Sequence, residues 1–228
     1  AKDIEVSTPY GDPSSPLKVG TIADKDVALI ARHGREHTVP PTHVNYRANV
    51  HALKEYGCEA ILASTAAGSL RTEIERGHLV ILDQFIDFSR SRTLSFFERF
   101  EPHCPCHTPM ADPFAEPLRQ QLIATCQKLG IPHHPTGTVI TIEGPRFSTR
   151  AESKMFRAWG ADVINMSMSV ECALANEAEI PYAAVAMSTD YDCWKTDEEP
   201  VSWEEVLHVF QQNAEKVISL FSETIAAL

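Results

Sequence analysis

The chain has 228 residues, 43% of them hydrophobic and 22% charged, which suits one α/β domain, or two small ones, with an ample core. Its net charge of −11 argues against a nucleic-acid surface, and no apolar run approaches the ~18 residues of a membrane span. Six scattered cysteines, at 58, 104, 106, 126, 172 and 193, do not make a disulfide scaffold; with no signal peptide visible, they imply a reducing, cytoplasmic setting.

In chain order, the opening AKDIEVSTPYGDPSSP is no apolar strand. Asp26–Ala31 (DVALIA) predicts a buried strand that ends in Arg32-His33-Gly34-Arg35-Glu36-His37. That cluster is either an anion site, most simply for phosphate, or a solvated basic loop. Val44–Tyr56 has near-helical apolar spacing, with Gly57 as its stop. Glu59–Ala63 predicts the next buried strand, running into a turn of small residues, Ser64-Thr65-Ala66-Ala67-Gly68-Ser69-Leu70. Such a turn can offer backbone N–H groups to an anion. Val80–Phe85 predicts another strand.

Ser89 to Pro113 lacks periodicity, and loops of that length usually have a function. Its Cys104-Pro105-Cys106-His107 has no second ligand pair at zinc spacing, so no metal is expected; a Cys104–Cys106 disulfide would be strained. Pro117–Leu129 reads as an amphipathic helix ended by Gly130, and Gly137–Ile142 as a strand. Thr149 to Glu152 fits a capping box opening a helix that stops at Trp159-Gly160. Ser202 opens the last helix, through about Ala227.

The segment 161–194 organises the rest. Val163–Met166 and Ala183–Met187 read as strands, and Val170–Ala178 as a helix between them. That pattern predicts a parallel strand pair with a helical crossover. Polar residues follow each strand: Asn165-Met166-Ser167, then Ser188-Thr189-Asp190-Tyr191-Asp192. In open α/β sheets ligands lie beyond the carboxyl ends of strands, so these two ends are either a site or ordinary βα loops. The overall expectation is one α/β domain with a mixed, mostly parallel sheet.

LIARHGREH, VNYRANVHALK, STAAGSL, DQFID, ITIEGPRFSTRAES, WGADVINM and STDYDCW occur in that order from about Tyr10 onward. Together they resemble the methylthioadenosine phosphorylases, within the trimeric branch of the purine nucleoside phosphorylases. The resemblance implies a single α/β domain over 1–228, with a central mixed β-sheet flanked by helices. It implies a homotrimer that splits 5′-methylthioadenosine with phosphate into adenine and 5-methylthioribose 1-phosphate, in purine and methionine salvage. Phosphate is a co-substrate, and no cofactor is implied. By similarity Arg32, His33, Thr65, the Ala66 N–H and Ser167 hold phosphate. Met166 backs the ribose, and His107 lies near the 5′ group. Phe147, Ser148, Asp190 and Asp192 hold the base, with Asp190 as general acid at N7.

Two departures stand out. The family's first strand and glycine-rich phosphate loop precede the region matching Tyr10, and this sequence does not contain them. The expectation is that the sequence begins after that segment, the alternative being a shortened homologue. After Met166 the chain reads Ser-Met-Ser-Val-Glu, keeping a hydroxyl at Ser167 but lacking the family's proline. A phosphorylase for 6-oxopurine nucleosides or methylthioinosine is the near alternative, and a catalytically silent nucleoside-binding subunit the distant one.

Overall fold

The computed structural model describes residues 1–197 and 202–228. Strands β1 (Lys2–Ile4), β2 (Leu17–Ile22) and β3 (Lys25–Leu29) form a small antiparallel sheet in that order. β3 takes up most of the DVALIA run, but as a half-exposed hairpin strand and not a buried one. Its alternate residues explain the difference: Ala28 packs with Leu17, Val19 and Leu53, while Leu29 is 61% exposed.

The main sheet holds seven strands: β4 (Ile61–Ser69), β5 (Leu79–Ile81), β6 (Gln84–Phe88), β7 (His133–His134), β8 (Thr138–Ile142), β9 (Val163–Asn165) and β10 (Tyr182–Tyr191). Their order is β6-β8-β9-β4-β10-β5-β7. Four pairings are parallel, and β4–β9 and β5–β10 are antiparallel, so the sheet is mixed as expected.

Helices α1 (Tyr46–Tyr56), α2 (Glu116–Leu129), α3 (Arg150–Ala158), α4 (Met168–Glu177) and α5 (Trp203–Ala227) flank it. β10 shows why both faces are covered. Its Ala183, Val185 and Met187 pack with α2 and α5, while Tyr182, Ala184 and Ala186 pack in the cluster of α1 and α4. A strand buried on both faces reads as one continuous apolar run.

Helix limits follow local chemistry. The Asn45 side chain accepts from the Ala48 N–H to start α1, and Gly57 ends it in the left-handed region at φ 95°. At α3 the capping box is complete: Thr149 accepts from the Glu152 N–H, and Glu152 from the Thr149 N–H. No helix or strand occupies Ser89–Pro113.

Three further strand expectations are corrected. The small-residue segment after Ala63 is not a turn: β4 runs on through Ser69, because β10 pairs with it residue by residue along that length. The predicted Val80–Phe85 strand is two strands, β5 and β6, at different places in the sheet. The break at Leu82-Asp83 is held by Arg119, whose Nε donates to the Leu82 carbonyl at 2.8 Å, and by Asp83, which accepts from the Gly137 N–H at 2.9 Å.

The third correction reaches the site. β9 and β10 are not a parallel pair, because β4 lies between them, parallel to β10 and antiparallel to β9. The strand–helix–strand rule assumes adjacency, and the nine-residue β4 takes the intervening place. β9 therefore returns along β4, and its end at Asn165 comes back beside Thr65. β10 also continues past its apolar core, so Asp190 lies within the strand and not in a following loop.

Candidate active site

Arg32 lies three residues past the end of β3, and its guanidinium is already committed on one edge. Nε donates to Glu171 Oε1, Nη2 donates to Glu171 Oε2 at 2.8 Å, and Nη1 lies 3.3 Å from the Ser64 carbonyl. Glu171, in the first turn of α4, also accepts from the Tyr182 hydroxyl at 2.8 Å. The side chains of Arg32 and Glu171 are 17% and 11% exposed, so the pair is largely dry. Glu171 holds the Arg32 charge even more firmly on than usual, although burial opposes it, and burial pushes the Tyr182 phenol well up. A carboxylate on the Nε edge fixes the fork and turns Nη1 toward Ser64 on β4.

His33 accompanies Arg32. Its Nδ1 lies 2.9 Å from the Val39 carbonyl, which only accepts, so Nδ1 carries the proton. Its ring stacks on His37 with centroids 4.6 Å apart. Burial lowers its pKa from the ordinary 6.5, against the rise given by the Val39 bond, and the neighbouring Arg32 lowers it further. The ring is neutral at physiological pH, with Nε2 unprotonated.

Thr65 and Ala66 sit on β4. That strand is paired with β10 throughout, but with β9 only at Gly68 and Ser69. Thr65 and Ala66 thus have no strand partner on the β9 side, where an anion can use the backbone. The Asn165 amide, at the end of β9, bridges the Thr65 and Ser167 hydroxyls at 3.3 and 3.5 Å. Ser167 precedes α4, so the helix bearing Glu171 also places this hydroxyl.

Met166 is held through its carbonyl, which accepts from Arg92 Nη1 and from the Tyr46 hydroxyl at 3.3 Å. Burial raises the Tyr46 phenol to about 12, so it stays a donor. Arg92 Nη2 also donates to the Glu143 carbonyl, tying the end of β8 to the end of β9. Gly144 completes the joint: at φ 67° it takes a left-handed turn, and a Cβ there would lie 2.5 Å from Met166 Sδ.

The second group of residues is carried by β10. The pairing slips between Ser188 and Asp190, leaving Thr189 as an extra residue, so Asp190 falls opposite Gly68. A Cβ on Gly68 would meet Asp190 Oδ2 and Ile164 Cγ2 at 3.1 Å and Asp192 Cβ at 3.4 Å. The missing side chain is the space those groups occupy. Asp190 and Asp192 are each 4% exposed. Thr189 donates to Asp190 Oδ1 at 2.7 Å, and Ser148 donates to the Asp192 carboxylate at 2.6 and 2.8 Å. Phe147 is exposed beside Ser148, at the start of α3. Arg146 clamps Glu152 there through both carboxylate oxygens at 2.7 Å and, with the Thr149 N–H, holds the Glu152 acid down to about 2.

The two groups meet on β4, which carries Thr65, Ala66 and Gly68 within four residues. Of the residues expected at the site, His107 is on an exposed loop, where its ring contact is with Phe100 at 5.5 Å. Sequence reasoning missed Glu171, Tyr182, Asn165 as a bridge, Arg92 and Gly68. An acid inside the apolar run of α4 is a signal for the first; Arg92 has none. Among the described residues no three His, Cys, Asp or Glu side chains could hold a metal, and no helix is long and apolar enough to cross a membrane.

Residues 1–226 match the phosphorylase superfamily. The S-methyl-5′-thioadenosine phosphorylase of Danio rerio is 52% identical over 223 residues, which are 96% of this chain and 79% of that protein. The Hyperthermus butylicus enzyme of the same name is 47% identical over 229 residues, covering 100% of this chain and 82% of its own. The methylthioadenosine phosphorylase of Schistosoma mansoni, solved in complex with adenine, superposes with a TM-score of 0.95 at 39% identity, covering 100% of this chain and 85% of that one. With these likenesses beside buried Asp190 on β10, Asp192 just past its end and Thr65 on β4, the chain belongs to the methylthioadenosine phosphorylase family of the phosphorylase superfamily.

Proposed function

We infer that the chain catalyses phosphorolysis of 5′-methylthioadenosine, and that the residues described above divide the work. The bond from C1′ to N9 breaks, a phosphate oxygen bonds to C1′, and adenine leaves with a proton. The observation that carries this reading is buried Asp190 opposite Gly68, with buried Asp192 packed against the same glycine, on the short stretch of β4 that also bears Thr65 and Ala66. One strand thus spans a base reader and an anion cradle. Arg32, His33, Thr65, Ala66 and Ser167 hold phosphate, negative charge beneath the cationic sugar of the transition state. Met166 supports the ribose. Asp190 gives a proton or a strong hydrogen bond to N7 of the leaving base, positioned by Thr189. Phe147, Ser148 and Asp192 complete the base pocket. The test is phosphate-dependent release of adenine from methylthioadenosine; a folded protein that binds adenine but releases none is a silent subunit.

The state of His33 makes a further expectation. Before an anion binds, Nε2 has no proton to give a dianion, so binding must draw one from solvent. Sulfate does not titrate near neutrality. Its binding at about pH 7.5 is expected to take up protons, seen as a binding enthalpy that changes with the ionisation enthalpy of the buffer. His33→Gln should remove that dependence. A buffer-independent enthalpy in the unsubstituted protein places His33 outside the anion site.

The active unit in this reading is a homotrimer in the cytoplasm, its neighbouring subunit closing the 5′ side near His107. Leu94, Phe97 and Phe100 support it: they are 41–42% exposed, on the loop that bears His107. The six free thiols support a reducing compartment. Sedimentation should give a trimer, and a stable, fully active monomer would refute the assembly.

A further inference from the structure

We propose that Asn165 is a positioning residue that makes both phosphate-site hydroxyls donors, an inference resting on the anion site proposed above. Asn165 is 5% exposed at the end of β9. Its neighbours decide which way its amide points. The Ser167 backbone N–H can only donate and lies 3.4 Å from one amide atom, which is therefore Oδ1. On β8, the Thr141 hydroxyl donates to the same oxygen at 2.8 Å while accepting the Ser169 N–H at 3.0 Å. Nδ2 thus faces the hydroxyl oxygens of Thr65 and Ser167.

An NH2 group only donates. Once an amide hydrogen occupies a lone pair on each hydroxyl, each hydroxyl proton must turn elsewhere. Thr65 gives its proton to the Ala66 carbonyl at 2.9 Å when no anion competes. A phosphate oxygen arriving on the open side then meets two O–H donors instead of two acceptors. A flipped amide would set its NH2 against the Ser167 N–H, donor against donor. Behind it, the Ser169 hydroxyl donates to Asp87 at 3.1 Å, anchoring the chain of donors at β6. Asn165 touches no substrate itself and acts through Thr65 and Ser167.

Asn165→Asp tests this, because it keeps the shape and both bonds at Oδ1 while replacing the NH2 by an acceptor. Both hydroxyls should then donate into the carboxylate and away from the anion. Sulfate affinity, read by thermal protection, is expected to fall about a hundredfold at pH 8, while adenine affinity changes by less than about threefold. Asn165→Leu, which removes the donor without adding charge, should lose about tenfold. Unchanged sulfate affinity in both variants overturns the proposal. So does an equal loss of sulfate and adenine affinity, or a loss in Asn165→Asp no larger than that in Asn165→Leu. Thr65→Ala and Ser167→Ala separate the two layers of argument. If they too leave sulfate affinity unchanged, the anion site is misplaced; if they weaken it and Asn165→Asp does not, only the role of Asn165 falls.

Discussion

Arg32→Ala is expected to raise the phosphate requirement roughly ten- to hundredfold, from the loss of one charge-assisted contact. It should also lower stability, by about 3 kcal/mol, because it strands the Glu171 carboxylate in a nearly dry site. The second variant separates these effects. Arg32→Ala with Glu171→Gln removes the stranded charge, and the Tyr182 hydroxyl can still donate to the amide carbonyl placed there. That pair should regain most of the melting temperature and none of the phosphate affinity. Phosphate saturation kinetics and thermal unfolding on the same three proteins decide it. If the double variant recovers phosphate saturation as well, Arg32 serves only to neutralise Glu171, and the anion is held elsewhere.

Asp190→Asn is expected to change which base the enzyme prefers. Adenine presents an acceptor at N7 beside a donor at its 6-amino group. A protonated Asp190 serves both, giving its O–H to N7 and accepting from the amine with its other oxygen. A 6-oxopurine presents an acceptor in that second place, so two oxygens oppose each other. Asn can donate to O6 but mismatches adenine at one position. A buried unmatched polar group costs about 1–3 kcal/mol, or one to two orders of magnitude in selectivity. The unsubstituted protein should therefore cleave methylthioadenosine far better than inosine, and Asp190→Asn should narrow or reverse that ratio. The measurement is kcat/KM for both nucleosides at saturating phosphate. An equal fall for both makes Asp190 general chemistry or structure rather than a reader of the base.

What the sequence disclosed was mostly local chemistry. The capping box at Thr149, the stops at Gly57 and Gly130, and the unstructured span after Ser89 depend on neighbours in the chain, and all are found. The pairing of β9 with β4 depends on residues about a hundred positions apart, and no periodicity encodes it. The same gap hid the site's internal wiring. Thr65 and Ser167 were each visible as hydroxyls after apolar runs, but their shared amide appears only when β9 runs back along β4. Small residues in β4 read as a turn because their packing reason, room for Asp190 and Asp192, is supplied by a distant strand.

Asp190 lies on a ten-residue strand held between β4 and β5, every residue of it buried except Tyr191. Amide hydrogens on such a strand exchange only when the whole molecule opens, whereas a span without helix or strand exchanges through small local fluctuations. The loop bearing His107 is of the second kind. The strand bearing Asp190 and the loop bearing His107 therefore sit at opposite ends of the molecule's range of local stability. In the proposed reading the base is met by a template that stays fixed until global unfolding, and the sugar's 5′ end by a segment free to adapt. Solvent exchange on β10 should cease to be protected only at the denaturation midpoint, so base choice should hold nearly constant with temperature until activity itself collapses.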